Sequence, residues 1–306
     1  MKRRALPRTI MGYVVRSSGR HQIALAVLSA AVFGLSSVPL ELQRRVVNDA
    51  IKNGATETIM WLAIAYAGVA LVEQILKMAL NVYRSWVSED AVRTLRRTLE
   101  DVEGAGSCER EATGTRTAMA VAEAEPIGGF VGMAISEPLL QAGILLSVMG
   151  YMAWLEPWTL ALSLGYLLPQ ALFVPPLQQA INRRAEDRIK TLRRVSGDIV
   201  ESGTPDDRRI ERVFELNMGI YKLKFGMNLG MNLMYAFAVA AALGVGGWFA
   251  ASGRIDVGTV VAVVSGLGKL KDPWGDLVSW GRELSVDSVK YRLFVDAVGR
   301  RGLATA

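Results

Sequence analysis

Apolar residues in this chain gather into long runs, separated by stretches dense in Arg and Glu. A membrane-spanning helix needs about 20 predominantly apolar residues to cover a hydrocarbon core of about 30 Å. Six segments meet that length: Gln22 to about Gln43, about Thr58 to Tyr83, about Ala134 to Leu155, Pro157 to Leu177, about Gly226 to Ala251, and Val257 to Trp280. The third and fourth form a hairpin whose turn is little more than Leu155-Glu156-Pro157. The sixth is the weakest, because Lys269, Lys271 and Asp272 interrupt it. The pattern predicts an all-α membrane protein with six transmembrane helices.

The connections are lopsided. Three are short, at about 15, 2 and 6 residues, whereas the other two run to about 50 each, longer than structureless loops usually are. Both long loops are rich in helix-forming Arg, Glu, Leu and Ala. In the first, Val92, Leu95, Leu99 and Val102 recur at helical spacing and continue the second span as an amphipathic helix. Each long loop holds one break. The first is at Gly104-Ala105-Gly106-Ser107, with a helical return from Thr115 toward Met133. The second is at Ser202-Gly203-Thr204-Pro205-Asp206, where Thr204 is expected to cap a new helix and Pro205 to occupy its first turn. Two long helical hairpins are therefore expected to project from the membrane, each with a polar tip.

Charge sets the orientation. With the amino terminus inside, 30 of the 35 Lys and Arg fall on the cytosolic side; only Arg44, Arg45, Lys52 and Arg254 lie outside, and Lys77 lies within the second span. The positive-inside rule then places both termini in the cytosol of a multi-pass protein, with a bacterial inner membrane the expected setting. The net charge of +6 does not call for nucleic acid, because the basic residues flank apolar runs and alternate there with acids. A secretory signal peptide explains less than a retained first helix, since the basic lead is long and five further spans follow. A single cysteine, Cys108, and a single histidine, His21, leave no internal disulfide and no transition-metal constellation. The expected divisions are a basic cytosolic segment over 1–20, a six-helix membrane domain over 21–298 and a short tail over 299–306.

Particular residues sharpen this. The opening Gly253-Arg254-Ile255-Asp256-Val257-Gly258, with Pro273 downstream and Tyr291-Arg292-Leu293-Phe294 closing the last helix, resembles the sixth-helix pattern of ABC exporter transmembrane domains. Gly253 and Gly258 suit a tight turn before that helix. Pro39-Leu40, Val46 to Ala50, Arg93 with Leu95-Arg96, Thr113-Gly114 and Pro169 are weaker matches to the same family. The resemblance covers about His21 to Val298. Its implied architecture is the ABC exporter transmembrane domain: six spans with long cytosolic helical extensions.

What the resemblance implies about function is a permease subunit, not an enzyme by itself. No G-x-x-x-x-G-K-[ST] phosphate loop occurs, so this polypeptide is expected to bind no cofactor of its own. ATP and Mg are expected on a partner ATPase, either as a separate chain or because this is a truncated or degenerate exporter half. A second transmembrane half, identical or different, is the other implied partner. By the same resemblance the tips act as coupling elements seated on the ATPase, through Glu109 and Arg110 in one and Asp206, Asp207 and Arg208 in the other.

Charges at membrane depth are expensive and usually face a cavity or a partner. Glu73, Lys77 and Asn81 recur every four residues on the second span, and Glu73 and Lys77 fall at roughly the depth of Lys269 and Asp272 on the sixth. Asn228 and Asn232 on the fifth lie beside Met227, Met231 and Met234. One reading is a polar substrate pathway with a cationic bias, suited to an anionic or amphipathic cargo; the other is ion pairs and interhelical hydrogen bonds that only hold the fold. Ala236, Ala240 and Gly244 are expected to form a small-residue stripe for close helix packing. A secondary transporter remains the different class, although no repeat relates residues 1–150 to 151–306. An inactive exporter half serving as a membrane scaffold is a third.

Overall fold

The structure, a computed structural model, describes residues 7–51, 56–103, 124–202, 204 and 206–304. Among them every regular element is a helix: α1 (Ile10–Leu35), α2 (Val38–Arg45), a π-helical turn (Val46–Ile51), α3 (Thr56–Glu103), a helical stretch over 124–133, α4 (Ser136–Leu155), α5 (Trp158–Ser202), α6 (Asp207–Ala251) and α7 (Val257–Ala304). Five stretches are long and apolar enough to cross a membrane: Ile10–Asp49, Thr56–Thr98, Ala124–Leu155, Trp158–Leu192 and Asp207–Ala251. They are consistent with a multi-pass membrane protein. The expected sixth span is helical within α7 but is not among those five. Lys269, Lys271, Asp272 and Asp276 dilute its apolar character.

At 1.5 Å per residue, helices of 45 to 48 residues such as α3, α5, α6 and α7 run about 68–72 Å, over twice the hydrocarbon thickness. The outward faces of α5 and α6 are apolar where a bilayer would meet them. Leu160, Leu164, Leu168 and Leu172 recur every four residues on α5, and Phe225, Leu229, Leu233 and Phe237 do so on α6, all exposed. Continuous exposed apolar stripes of this kind are rare on soluble monomers.

The chain divides into two compact units, residues 1–151 with 269–306 and residues 152–268. In the first, α1 and α2 pack on α3. The helix α1 starts at Ile10, within the expected basic leader, and bends at Ser18 (φ −131°, ψ 19°), just before the expected span. Its early turns are buried: Ile10, Tyr13 and Val14 join Val87, Leu95, Ile127, Phe130, Tyr291 and Phe294 in one core. The Tyr291 hydroxyl donates to the Pro7 carbonyl at 2.8 Å. Burial, with the neighbouring Tyr13, pushes the Tyr291 pKa upward, which keeps that donor protonated.

Close approach in this unit depends on two glycines. A Cβ on Gly132 would lie 2.3 Å from the Arg84 carbonyl oxygen, and one on Gly128 would lie 2.8 Å from the Val92 backbone nitrogen. The stretch 124–133 therefore lies backbone to backbone against α3, and Ser88 Oγ donates to the Gly129 carbonyl at 3.0 Å.

In the second unit α5 and α6 form a long hairpin. Trp158 packs edge-on against Phe249 at one end, and Arg188 donates to Asn217 further along. The helix α6 begins at Asp207 and is capped by Asp206, whose carboxylate accepts from the Arg208 backbone N–H at 3.0 Å. The cap is thus Asp206 rather than the expected Thr204, because the helix starts two residues later than the Pro205 signal suggested. At the other end Gly253 takes a left-handed φ of 73°, as the expected turn requires, and Arg254 stacks 4.5 Å over Phe249. Gly258 lies inside the first turn of α7 rather than in that turn. The small residues that pack are Ala238, Ala242 and Gly246, with Val260 3.2 Å from where a Gly246 Cβ would sit; Ala236, Ala240 and Gly244 are exposed.

Gly132→Ala is expected to lower stability by about 1–3 kcal/mol, because nothing but backbone and the Ser88 hydroxyl can yield. Gly129→Ala, with open space around its Cβ position, is expected to be neutral or slightly stabilising. Thermal unfolding in detergent separates the two.

Candidate functional site: charged clusters on one stripe of helix 3

The helix α3 buries one main stripe, Glu73, Leu80, Arg84, Val87, Ala91 and Leu95, with Lys77 half-buried among them and Val92 buried beside it. Steps of four and three alternate as far as Ala91 and the step to Leu95 is four again, averaging close to the 3.6 residues of a helical turn, so the stripe stays on one face. Two consecutive steps of four overshoot by about 80° on a 3.6-residue helix. Asn81 is accordingly exposed, while Leu80 and Arg84 continue the buried line.

The first cluster forms where α1 breaks. The Ser36 N–H and hydroxyl both turn back to the Phe33 carbonyl, at 3.1 and 2.6 Å. Pro39 has no N–H to offer the preceding turn, and the Leu40 N–H bonds to the Ser37 carbonyl at 3.2 Å. The Ser36 carbonyl is left without its helical partner and accepts instead from Lys269 Nζ at 2.6 Å. Glu73, with 8% of its side chain exposed, lies 2.7 Å from Lys77 Nζ and 3.6 Å from Lys269 Nζ. Two cations thus share one buried carboxylate. The cluster carries an excess positive charge, and one of its cations is spent on a freed carbonyl.

The second cluster has the opposite sign. Arg84 donates through Nε to Ser136 Oγ at 2.8 Å and through Nη1 to Glu137 Oε2 at 2.5 Å. The Gln141 amide nitrogen donates both to Glu137 Oε1 at 2.7 Å and to Asp276 Oδ2 at 2.9 Å. Trp280 Nε1 adds a bond to the Ala134 carbonyl at 3.2 Å. One carboxylate, Glu137, therefore meets the guanidinium, and the Gln141 amide links it to a second, the exposed Asp276. Arg84 Nη2 is buried with no hydrogen-bond partner among the described residues. At 1.5 Å per residue the two clusters are separated by about 16 Å along α3 and about 10 Å along α7.

Of the residues singled out in the sequence, the structure brings together Glu73, Lys77 and Lys269. Asp272 is exposed, and Asn228 and Asn232 are exposed on α6 in the other unit. Asp206, Asp207 and Arg208 stand exposed at the tip of the α5–α6 hairpin, where Arg209 ties Asp198 (2.5 Å) to Asp206 (3.7 Å). Glu109 and Arg110 lie outside the described residues.

Sequence reasoning missed the second cluster, for Arg84 reads as a flanking cytosolic charge. The available signal was the pair Glu137 and Gln141, four apart in an otherwise apolar span, with Asp276 as a further acid in a weak one.

Nothing in either cluster has the spacing of a nucleophile with its base; the geometry fits fixed charge pairing at membrane depth. Arg84→Met is expected to destabilise the protein by about 3–5 kcal/mol, since it strands the partly buried Glu137 carboxylate. Arg84→Lys is expected to rescue little of that, because an ammonium lacks the planar fork that serves Ser136 and Glu137 together. A double-mutant cycle of Glu73→Gln with Lys269→Met is expected to give a coupling above about 0.5 kcal/mol, read by denaturation in detergent.

No protein-family model matches the chain, and no curated protein matches it either.

Proposed function

We propose that the chain is the membrane-spanning subunit of an ATP-driven transporter of the ABC exporter type. On this reading it supplies part of the substrate pathway and receives the conformational drive from an ATPase through its hairpin tips. The observation that carries the reading is the reach of the α5–α6 hairpin. Its tip at Asp206 lies about 65 Å along α6 from the Trp158–Phe249 contact, about 20 Å more than a bilayer with its headgroups measures. A membrane protein with no soluble partner has little use for so long a projection ending in exposed charge. The basic residues on that side agree with a cytosolic position.

Asp206 is occupied as a helix cap and Arg209 as a tie to Asp198, whereas Asp207 and Arg208 stand exposed and available to a partner among the described tip residues. The two clusters of unit 1 support a polar pathway only in part, since their charges largely satisfy one another. Lys77 and Lys269 remain a third exposed and give the first cluster its cationic bias, which favours an anionic or amphipathic cargo.

A secondary transporter is the second reading, favoured by the break between α1 and α2 beside charged side chains, since interrupted helices mark the binding sites of many such proteins. The two differ in energy source. Transport in vesicles that needs an ion gradient and no ATPase supports the second reading.

The charge reversal Asp207→Arg with Arg208→Glu leaves the cap and the Asp198 tie in place. In a complex reconstituted with its ATPase it is expected to reduce ATP-driven transport about tenfold or more while hydrolysis continues, a loss equivalent to about 1.4 kcal/mol of coupling. Transport undiminished by this variant refutes the coupling role of the tip.

A further inference from the structure

Four cations stand at one level of the α5–α6 hairpin, none in an ion pair with a described residue. The register is fixed at several points: Trp158 packs on Phe249, Phe173 lies 3.3 Å from where a Gly230 Cβ would sit, Arg184 crosses Gly219, and Arg188 donates to Asn217. Measured from the Trp158–Phe249 contact at 1.5 Å per residue, Arg183 and Arg184 on α5 and Lys222 and Lys224 on α6 all fall about 38–41 Å along the hairpin. A bilayer measures about 40–45 Å across with its headgroup regions, so the four reach the far headgroup layer together.

The surroundings of this belt are one-sided. No Asp or Glu occurs on α5 before Glu186 and Asp187, which follow the belt within one turn, and none on α6 after Glu215, so cations outnumber acids at this level. Glu186 is itself paired to Lys190 at 2.6 Å. None of the four cations forms an ion pair with a described residue. Arg183, Lys222 and Lys224 are exposed, and Arg184 lies half-buried across Gly219, where a Cβ would come within 3.1 Å of its Cδ and Nε. Beside the belt on α6, Tyr221 and Phe225 stack at 6.2 Å and stay exposed, aromatic side chains of the kind that settle at a membrane interface.

We infer that Arg183, Arg184, Lys222 and Lys224 form a binding surface for the headgroups of anionic phospholipids in the inner leaflet. Unopposed cations at headgroup depth gain most from anionic lipid, whereas further along the hairpin acids and bases pair with one another, as Arg212 does with Glu215 at 2.9 Å. The inference rests on the membrane reading of the fold and is independent of whether the chain works with an ATPase.

Native mass spectrometry of the full chain, purified with an equimolar mixture of phosphatidylglycerol and phosphatidylcholine, tests it. The wild-type chain is expected to retain phosphatidylglycerol preferentially, and R183Q/R184Q/K222Q/K224Q is expected to lower that preference about tenfold. K222Q/K224Q, which alters only exposed side chains, is expected to lower it about threefold and keeps the test open if the quadruple variant does not fold. The control pair K190Q/R212Q is expected to retain the preference. An unchanged preference in K222Q/K224Q, or an equal loss in the control, overturns the assignment. So does displacement of phosphatidylglycerol by an equal concentration of inorganic phosphate, which identifies a bare phosphate site instead.

Discussion

A helix interrupted inside an apolar run must find partners for the carbonyls it frees, because neither lipid nor a packed core supplies a donor. In unit 1 that constraint organises the charged side chains. The break after α1, held by Pro39 and the turned-back Ser36, exposes the Ser36 carbonyl, and Lys269 reaches it from α7. A lysine so placed needs a counter-charge, which Glu73 provides from α3 while also holding Lys77. The same three helices that would be anomalous singly, one broken and two charged, satisfy one another together. This explains why α7 can be helical through a segment too polar to rank with the apolar spans.

The second cluster follows the same logic with the signs exchanged. Arg84 would be costly on the buried stripe of α3 without Glu137, and Glu137 and Asp276 would repel without Arg84 and the bridging Gln141. The second cluster sits beside a contact that leaves no slack, Gly132 against the Arg84 carbonyl. Unit 1 is therefore held by fixed polar pairs as well as by its core. In unit 2 the α5–α6 hairpin instead relies on small residues, aromatic contacts and a charged belt where the apolar runs stop.

The transport reading draws on different facts from the packing. It depends on the reach of the hairpin and on a tip whose structural charges are already engaged, leaving Asp207 and Arg208 outward. The proposed ATPase partner rests on the resemblance in the sequence between Gly253 and Phe294. Two parts of that pattern also have local physical reasons in the structure: the left-handed φ of Gly253 and the burial of Tyr291 and Phe294.

The sequence by itself determined the helices, most of the spans, the hairpin turn at Leu155-Glu156-Pro157 and the long extensions, because apolar run length, helix propensity and the placement of Arg and Lys are local properties. It also determined that Glu73, Lys77 and Lys269 fall at similar depth. Which charges meet was decided only in three dimensions. Asn81 fell off the buried stripe because four-residue steps drift around a 3.6-residue helix, and Arg84 entered it for the same reason. Whether Ala236 or Ala238 packs, and whether Thr204 or Asp206 caps, depended on helix rotation and starting point, neither of which composition specifies. The Arg84–Glu137–Gln141–Asp276 network joins residues far apart in the chain, and no local pattern announces a partner that only packing brings within 3 Å.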